Sequence, residues 1–177
     1  MSILVLSGNP RPASRTSAVA TDLARELAGP LGLGEIDVVE LADIAAEVLV
    51  GGAGLAAARA RVLAARLVVV ATPVYKGSYT GLLKSFLDTF DGGELSGVTA
   101  VGVVVAGQDG HLHAGESHLR PVLLELGARV PAPAVALAQR DVAERGPVLA
   151  SWARRNLASL RGALDDASRD ATPGVAP

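Results

Sequence analysis

Short apolar segments alternate along the chain with longer segments in which apolar residues recur at helical spacing. The short segments predict five strands, at residues 2–6, 35–41, 67–71, 98–106 and 130–137. The longer segments predict five helices, at residues 16–28, 55–66, 81–90, 116–127 and 147–164. Gly29 and Pro30 predict the end of the first helix, and the glycine-rich residues 51–54 predict a flexible loop.

The third predicted strand is an apolar run and the fourth is apolar except for Thr99, which is typical of parallel strands covered by helices on both faces. Alternating strands and helices with right-handed crossovers predict an α/β fold. For five strands we expect a flavodoxin-like three-layer sandwich, with a parallel sheet in the order 2-1-3-4-5. Residues 1–165 would form this single domain, and the polar, proline-containing residues 166–177 would be a disordered C-terminal tail.

Composition and charge narrow the classes of function. The chain has no cysteine, which excludes disulfides, thiolate nucleophiles and cysteine-ligated metals. His113 and His118 do not have the i,i+4 spacing of a helical metal-binding pair, so no metal site is expected. A formal net charge of −2 gives no reason to expect nucleic-acid binding. No apolar run approaches the roughly 20 residues that span a bilayer, and the start lacks a basic signal-peptide region, so we expect a cytoplasmic protein without a membrane partner.

In the predicted strand order, the first and third strands meet at a switch point, where α/β proteins bind ligands at the carboxyl ends of strands. The loop after the first strand offers hydroxyls, an amide, two guanidiniums and the free N–H groups of a helix start, which together suit a phosphate. Its candidate ligands are Asn9, Arg11, Ser14, Arg15, Thr16 and Ser17. Alternatively, Ser14 or Thr16 only caps the helix and both arginines lie in solvent.

The loop after the third strand places Tyr75, Lys76 and Tyr79 close to Pro73. This combination suits a flat, anionic ligand. Glycines in the loop after the fourth strand, residues 106–113, would let the backbone approach a ring system closely. Neither G-x-x-x-x-G-K-[ST] nor G-x-G-x-x-G follows a strand, so the sequence indicates a mononucleotide rather than a Rossmann dinucleotide.

Three segments closely resemble the NAD(P)H-dependent FMN reductase family, particularly the reductase components of two-component flavin monooxygenase systems. They are SGNPRPASR at residues 7–15, ATPVYKGSYTGLLK at residues 71–84 and LRPVL at residues 119–123. The resemblance covers the chain from about residue 3 to about residue 135. It implies a flavodoxin-like fold that binds FMN, with the phosphate in the first loop.

The resemblance also implies contacts to the isoalloxazine ring and a reaction. The implied ring contacts are Pro73, Val74, Tyr75 and Lys76 on one side and Gly107, Gln108, Asp109 and Gly110 along the other edge. The implied reaction is hydride transfer from NADPH or NADH to the flavin, which needs no protein general base. Lys76 is a candidate for polarising the flavin; the alternative is a solvated loop lysine. Some family members carry a π-bulge before the Arg-Pro pair, where this chain has Ser117 and His118.

Three functions stay open at this level. The first is an FMN reductase that supplies reduced flavin to a partner flavin-dependent monooxygenase. The second is an FMN-bound reductase of quinones, azo dyes or metal oxyanions, and the third is a non-enzymatic flavodoxin-like carrier. The apolar stripe of the predicted helix at residues 81–90 is wide for a helix with one buried side, so we expect a homodimer or homotetramer.

Overall fold

The computed structural model describes residues 2–170, with side chains through residue 167. Its strands are β1 (Ser2–Ser7), β2 (Glu35–Glu40), β3 (Leu67–Pro73), β4 (Thr99–Ala106) and β5 (Val135–Ala138). They form one parallel sheet in the order β2-β1-β3-β4-β5, because β1 pairs with both β2 and β3 and the ladder continues outward through β4. The predicted fold class and strand order are confirmed.

Helices cover both faces of this sheet. They are α1 (Arg15–Leu31), α2 (Ala45–Val50), α3 (Ala53–Ala64), α4 (Gly81–Leu87), α5 (Arg120–Glu125) and α6 (Arg145–Asp170). Successive strand residues point to opposite faces, so Ile3 packs with α1 and α6, whereas Leu4 packs with α3, α4 and α5. Within residues 2–170, no single helix is long and apolar enough to cross a membrane; only the bent pair 41–50 and 53–64 meets that test, by length and composition alone.

The first helix is longer than predicted. α1 continues through Gly29 and Pro30, and ends before Gly32, which has a φ of 66°. Pro30 removes one helical N–H donor, but this turn is exposed, so water can bind the carbonyl that loses its partner. The helix ends at Gly32 instead, whose N–H donates to the Gly29 carbonyl over 3.0 Å.

Part of the predicted flexible loop is helical. Ala53 and Gly54 form the start of α3. The Glu47 carboxylate accepts hydrogen bonds from the N–H groups of Gly54 (2.7 Å) and Leu55 (3.3 Å). This side chain from α2 therefore caps α3 and orders the glycine-rich connection between the two helices.

The last strand and the last helix also differ from prediction. β5 begins at Val135 rather than residue 130, because the prolines that precede it have no N–H to donate to a strand ladder. α6 continues to Asp170, since Ala167 extends its buried stripe. Disorder from residue 166 is therefore wrong for residues 166–170. The rest of the predicted tail, residues 171–177, lies outside the described residues.

Candidate functional site

The loops after β1 and β3 are joined by hydrogen bonds at the carboxyl edge of the sheet. The Gly8 N–H donates to the Ala71 carbonyl over 2.7 Å. The Thr80 hydroxyl donates to the Gly8 carbonyl over 2.5 Å and accepts from the Leu83 N–H over 3.1 Å, which caps α4. The Thr80 N–H donates to the Thr72 hydroxyl over 3.1 Å. This buried network therefore holds both loops and the start of α4 in one arrangement.

Asn9 organises the loop between β1 and α1. Its side chain is buried; the amide oxygen accepts from the Arg11 N–H over 3.0 Å, and the amide nitrogen donates to the Thr16 hydroxyl over 3.3 Å. The Ser14 hydroxyl caps α1 by accepting from the Ser17 N–H over 3.1 Å. The N–H groups at the very start of α1 have no acceptor within the helix, so they are available to an anion.

A cleft of about 560 Å³ opens beside this loop, within the roughly 300–1,000 Å³ range of small-molecule sites. It is lined by nine of the residues that the sequence predicted: Asn9, Arg11, Ser14, Arg15, Thr16, Pro73, Val74, Tyr75 and Gly107. The wall formed by the first loop is polar and carries two exposed guanidiniums, and the wall formed by the ends of β3 and β4 is largely apolar. Such a cleft can bind a molecule that has an anionic end and a flat apolar end.

Five predicted residues do not line the cleft: Ser17, Lys76, Gln108, Asp109 and Gly110. Ser17 is buried, and its N–H donates to the Ser14 hydroxyl. Lys76 lies at the tip of a two-residue turn closed by hydrogen bonds between Tyr75 and Ser78 (2.8 and 3.2 Å). Lys76 and Gly77 have φ values of 54° and 83°, as a type I′ turn requires, and the lysine is exposed.

The loop after β4 is tied to the turn after β5. The Arg140 guanidinium donates to both carboxylate oxygens of Asp109, over 2.7 and 2.9 Å. This hydrogen bond is the main cause of the raised pKa of Arg140. Asp109 therefore braces two loops at the rim, while Gly107 is the residue of its loop that lines the cleft.

Four further residues line the cleft: Pro12, Ala13, Val105 and Gln139. Gln139 follows β5, and the sequence reasoning missed it. The strand order contained a signal, because β5 lies next to β4 and its carboxyl end reaches the same edge of the sheet. Pro12 and Ala13 belong to the first loop, where Ala13 has a φ of 49°.

A π-helical turn, Gly115–Leu119, precedes α5 at the place that the family resemblance indicates. The Arg120 N–H donates to the Gly115 carbonyl, five residues back. A Cβ at Gly115 would lie 2.7 Å from the Ala134 Cβ, so the turn packs closely on the segment before β5. His113 and His118 stack edge to face with ring centroids 6.0 Å apart, and within the described residues no group of three His, Asp or Glu side chains could hold a metal.

Comparisons with known proteins agree with this geometry. The family model for NADPH-dependent FMN reductase matches residues 1–141. The NADH-dependent FMN reductase SfnF of Pseudomonas fluorescens (strain Pf0-1) is 33% identical over 131 residues, which cover 69% of this chain and 68% of that protein. The FMN reductase (NADPH) of Escherichia coli (strain K12) is 33% identical over 133 residues, which cover 73% and 69% of the two chains.

Solved structures agree as well. An oxidoreductase from Corynebacterium diphtheriae superposes with a TM-score of 0.78 and 25% identity, covering 93% of this chain and 97% of that one. The apo form of an NADH:FMN oxidoreductase (EMOB) superposes with a TM-score of 0.75 and 27% identity, covering 99% and 91%. The chain therefore belongs to the NADPH-dependent FMN reductase family, and it is an oxidoreductase that works with FMN and NAD(P)H.

Proposed function

We propose that this chain binds FMN in the cleft, reduces it with hydride from NADPH or NADH, and releases reduced FMN to a partner flavin-dependent monooxygenase. The observation that carries the proposal is the union of a cationic, hydroxyl-bearing wall and an apolar wall in one cleft. A phosphate needs the first wall and an aromatic ring needs the second.

The phosphate would be held by the first loop. Arg11 and Arg15 neutralise its charge, the N–H groups at the start of α1 bond its oxygens, and the buried amide of Asn9 keeps the loop in shape. Thr16 lines the same wall. Ser17 would support the phosphate site indirectly, because its N–H orients the Ser14 hydroxyl.

The ring would lie against the other wall. Pro73, Val74 and Tyr75 form one edge, and the exposed backbone of Gly107, which has open space around it, lets a ring come close. Bound FMN supplies the hydride acceptor. The protein's task is to align two rings, which is a positioning task and needs no general base. Gln108, Asp109 and Gly110 would contact the ring's outer edge from the rim.

Lys76 would stabilise the negative charge that develops on the flavin during reduction. Its exposed position makes this a weak effect, so Lys76→Asn should lower kcat by about tenfold, less than loss of a buried oxyanion donor costs. Asparagine tolerates the left-handed backbone of this turn, so the turn is kept. If kcat and FMN affinity were both unchanged, Lys76 would be a solvated loop lysine with no role in flavin reduction.

The sparse aromatic content of the cleft favours release of the flavin. Among the described residues that line it, Tyr75 is the only aromatic side chain, and it is 46% exposed. A ring that stacks on one exposed side chain is held less tightly than one between two buried rings. FMN that stays bound through gel filtration, together with quinone reduction faster than reduction of free FMN, would favour the resident-flavin alternative instead. The family assignment makes the chain an oxidoreductase, which argues against the carrier alternative.

Steady-state oxidation of NADH and NADPH, with free FMN or riboflavin as acceptor, tests the proposed reaction. Arg15→Ala should raise the KM for FMN about tenfold, as loss of a charged hydrogen bond predicts. The KM for riboflavin should not change, because riboflavin has no phosphate. Arg155→Ala, on α6, is the matched control and should match the wild type. Failure of the wild-type protein to oxidise either nucleotide with FMN would overturn the proposal.

The partner and the assembly belong to the same proposal. We expect a homodimer or homotetramer in the cytoplasm that hands reduced FMN to a monooxygenase. The groove between α4 and α5, about 340 Å³, supports self-association because its lining is mostly apolar: Lys84, Leu87, Asp88, Phe90, Pro121, Val122, Glu125 and Leu126.

Transfer of reduced flavin is tested by adding a flavin-dependent monooxygenase that has no reductase of its own and measuring product. No product in the presence of NAD(P)H and FMN would count against the transfer.

A further inference from the structure

A second groove continues from the phosphate end of the cleft along α1. Its volume is about 350 Å³, and it is lined by Ala13, Ser14, Ser17, Ala18, Thr21, Asp22, Arg25 and Arg145. Ala13 and Ser14 also line the first cleft, so the two spaces share a wall. On the other side, a short 3-10 helix, Gln139–Glu144, leads from Gln139 in the first cleft to Arg145 in the second groove.

The second groove carries positive charge that is held in place. Asp22 accepts from Arg25 over 2.7 Å and from Arg145 over 2.8 Å, so two guanidiniums share one carboxylate. Arg145 also donates to the Val142 carbonyl over 2.9 Å, and its side chain is only 25% exposed. Its guanidinium is therefore oriented before any ligand arrives. Three hydroxyl-bearing residues, Ser14, Ser17 and Thr21, line the same space.

We infer that this second groove is a subsite for an adenylate group, the AMP half of a dinucleotide. The excess guanidinium charge suits a second phosphate, the hydroxyls suit a ribose, and an arginine plane can stack on adenine. The inference rests on the proposed function in one respect: the first loop must hold a phosphate. Two dinucleotides carry this chemistry, FAD and NAD(P)H. The shared wall at Ala13 and Ser14 favours FAD, because its adenylate is joined directly to the flavin phosphate.

Calorimetric titration of the intact protein with FMN and with FAD tests the subsite without any turnover. Arg145→Gln should raise the ratio of the FAD to the FMN dissociation constant about tenfold. Arg25→Gln should raise it less, because Arg25 is 67% exposed. Arg25→Gln also serves if Arg145→Gln fails to fold, since Arg25 makes no buried contact in the described part of the chain. Arg155→Gln, elsewhere on α6, should leave the ratio unchanged.

A second arm identifies the source of the adenylate. With FMN as acceptor, the KM values for NADH and NADPH are measured for the same variants. A rise in these KM values with no change in the FAD ratio assigns the subsite to the nicotinamide nucleotide and still supports an adenylate site. Unchanged ratios and unchanged KM values in both arginine variants overturn the inference. Wild-type protein that binds neither flavin would instead overturn the proposed function.

Discussion

At the residue scale, Gly8 sets the distance between the first loop and α4. A Cβ at Gly8 would lie 2.6 Å from the Cβ of Leu83, closer than two carbon atoms can pack. Neither atom can be moved by a side-chain rotation, and Leu83 is fully buried. The absence of a side chain at Gly8 therefore lets the first loop lie close enough to α4 for the Thr80 hydroxyl to bond the Gly8 carbonyl.

We predict that Gly8→Ala destabilises the protein and weakens FMN binding together. Forcing the loop away from α4 should lower the free energy of unfolding by about 1–3 kcal/mol, the usual cost of overpacking a core. Urea denaturation measures the first effect and calorimetry the second. Gly81→Ala is the matched control, because the first residue of α4 has open space where a Cβ would be. Equal unfolding midpoints for Gly8→Ala and wild type would contradict this account.

At the scale of elements, Arg59 connects α3 to the segment after α4. Its guanidinium donates to the Thr89 carbonyl and hydroxyl and to Glu94 (2.7 Å), and it lies 4.3 Å from the centre of the Phe90 ring. The carboxylate of Glu94 also accepts from the Asp91 N–H over 2.8 Å. That backbone hydrogen bond is the main cause of the lowered pKa of Glu94, and Arg59 adds to it.

This lowered pKa predicts a pH dependence of stability. A carboxyl whose pKa is lower in the folded state stabilises the protein above its usual pKa of 4.5, and the contribution is lost as the pH falls through the folded value. As the pH is lowered from neutral to below the folded pKa of Glu94, the free energy of unfolding should therefore fall less in Glu94→Gln than in wild type. Urea midpoints at a series of pH values measure the difference. Glu144→Gln, at an exposed carboxylate, is the control, and parallel pH profiles for wild type and Glu94→Gln would contradict the prediction.

At the scale of the whole molecule, the two helical layers differ in how much apolar surface they expose. The layer that contains α4 and α5 has the apolar groove, the half-exposed Leu124 and the largely exposed Leu49 and Val50 of the neighbouring α2. Among the described residues of α1 and α6, Val148 is the one exposed large apolar side chain. Self-association through the layer that contains α4 and α5 would cover apolar surface that is costly to leave in water.

We predict that Val122→Glu, in this groove, lowers the mass of the assembly. A carboxylate cannot be buried there without a partner, so the proposed dimer or tetramer should dissociate while the fold is kept. Light scattering after gel filtration measures the mass, and circular dichroism checks the fold. Val148→Glu, at an exposed valine on α6, should keep the wild-type mass. A wild-type protein that is monomeric at micromolar concentration would remove the basis for this prediction.

Much of the architecture was predictable because it depends on patterns that are local in sequence. Apolar runs and helical spacing predict strands and helices, and handedness rules then leave few ways to arrange them. The errors lie where packing overrides local propensity. α1 passes through Pro30 because Leu27 and Leu31 still pack on the core, and α6 continues to Asp170 because Ala167 is still buried.

The sequence by itself determined the fold, the edge of the sheet at which the cleft opens, and most of the residues of the first loop. Only the tertiary structure decided which members of each loop line the cleft. The turn at Lys76 places that residue outside the cleft lining, and the pairing of Asp109 with Arg140 keeps its carboxylate at the rim. Gln139 follows from the predicted strand order, whereas the place of Arg145 was hidden in the sequence. It depends on a contact with Asp22, and a contact between residues more than 100 positions apart has no local pattern.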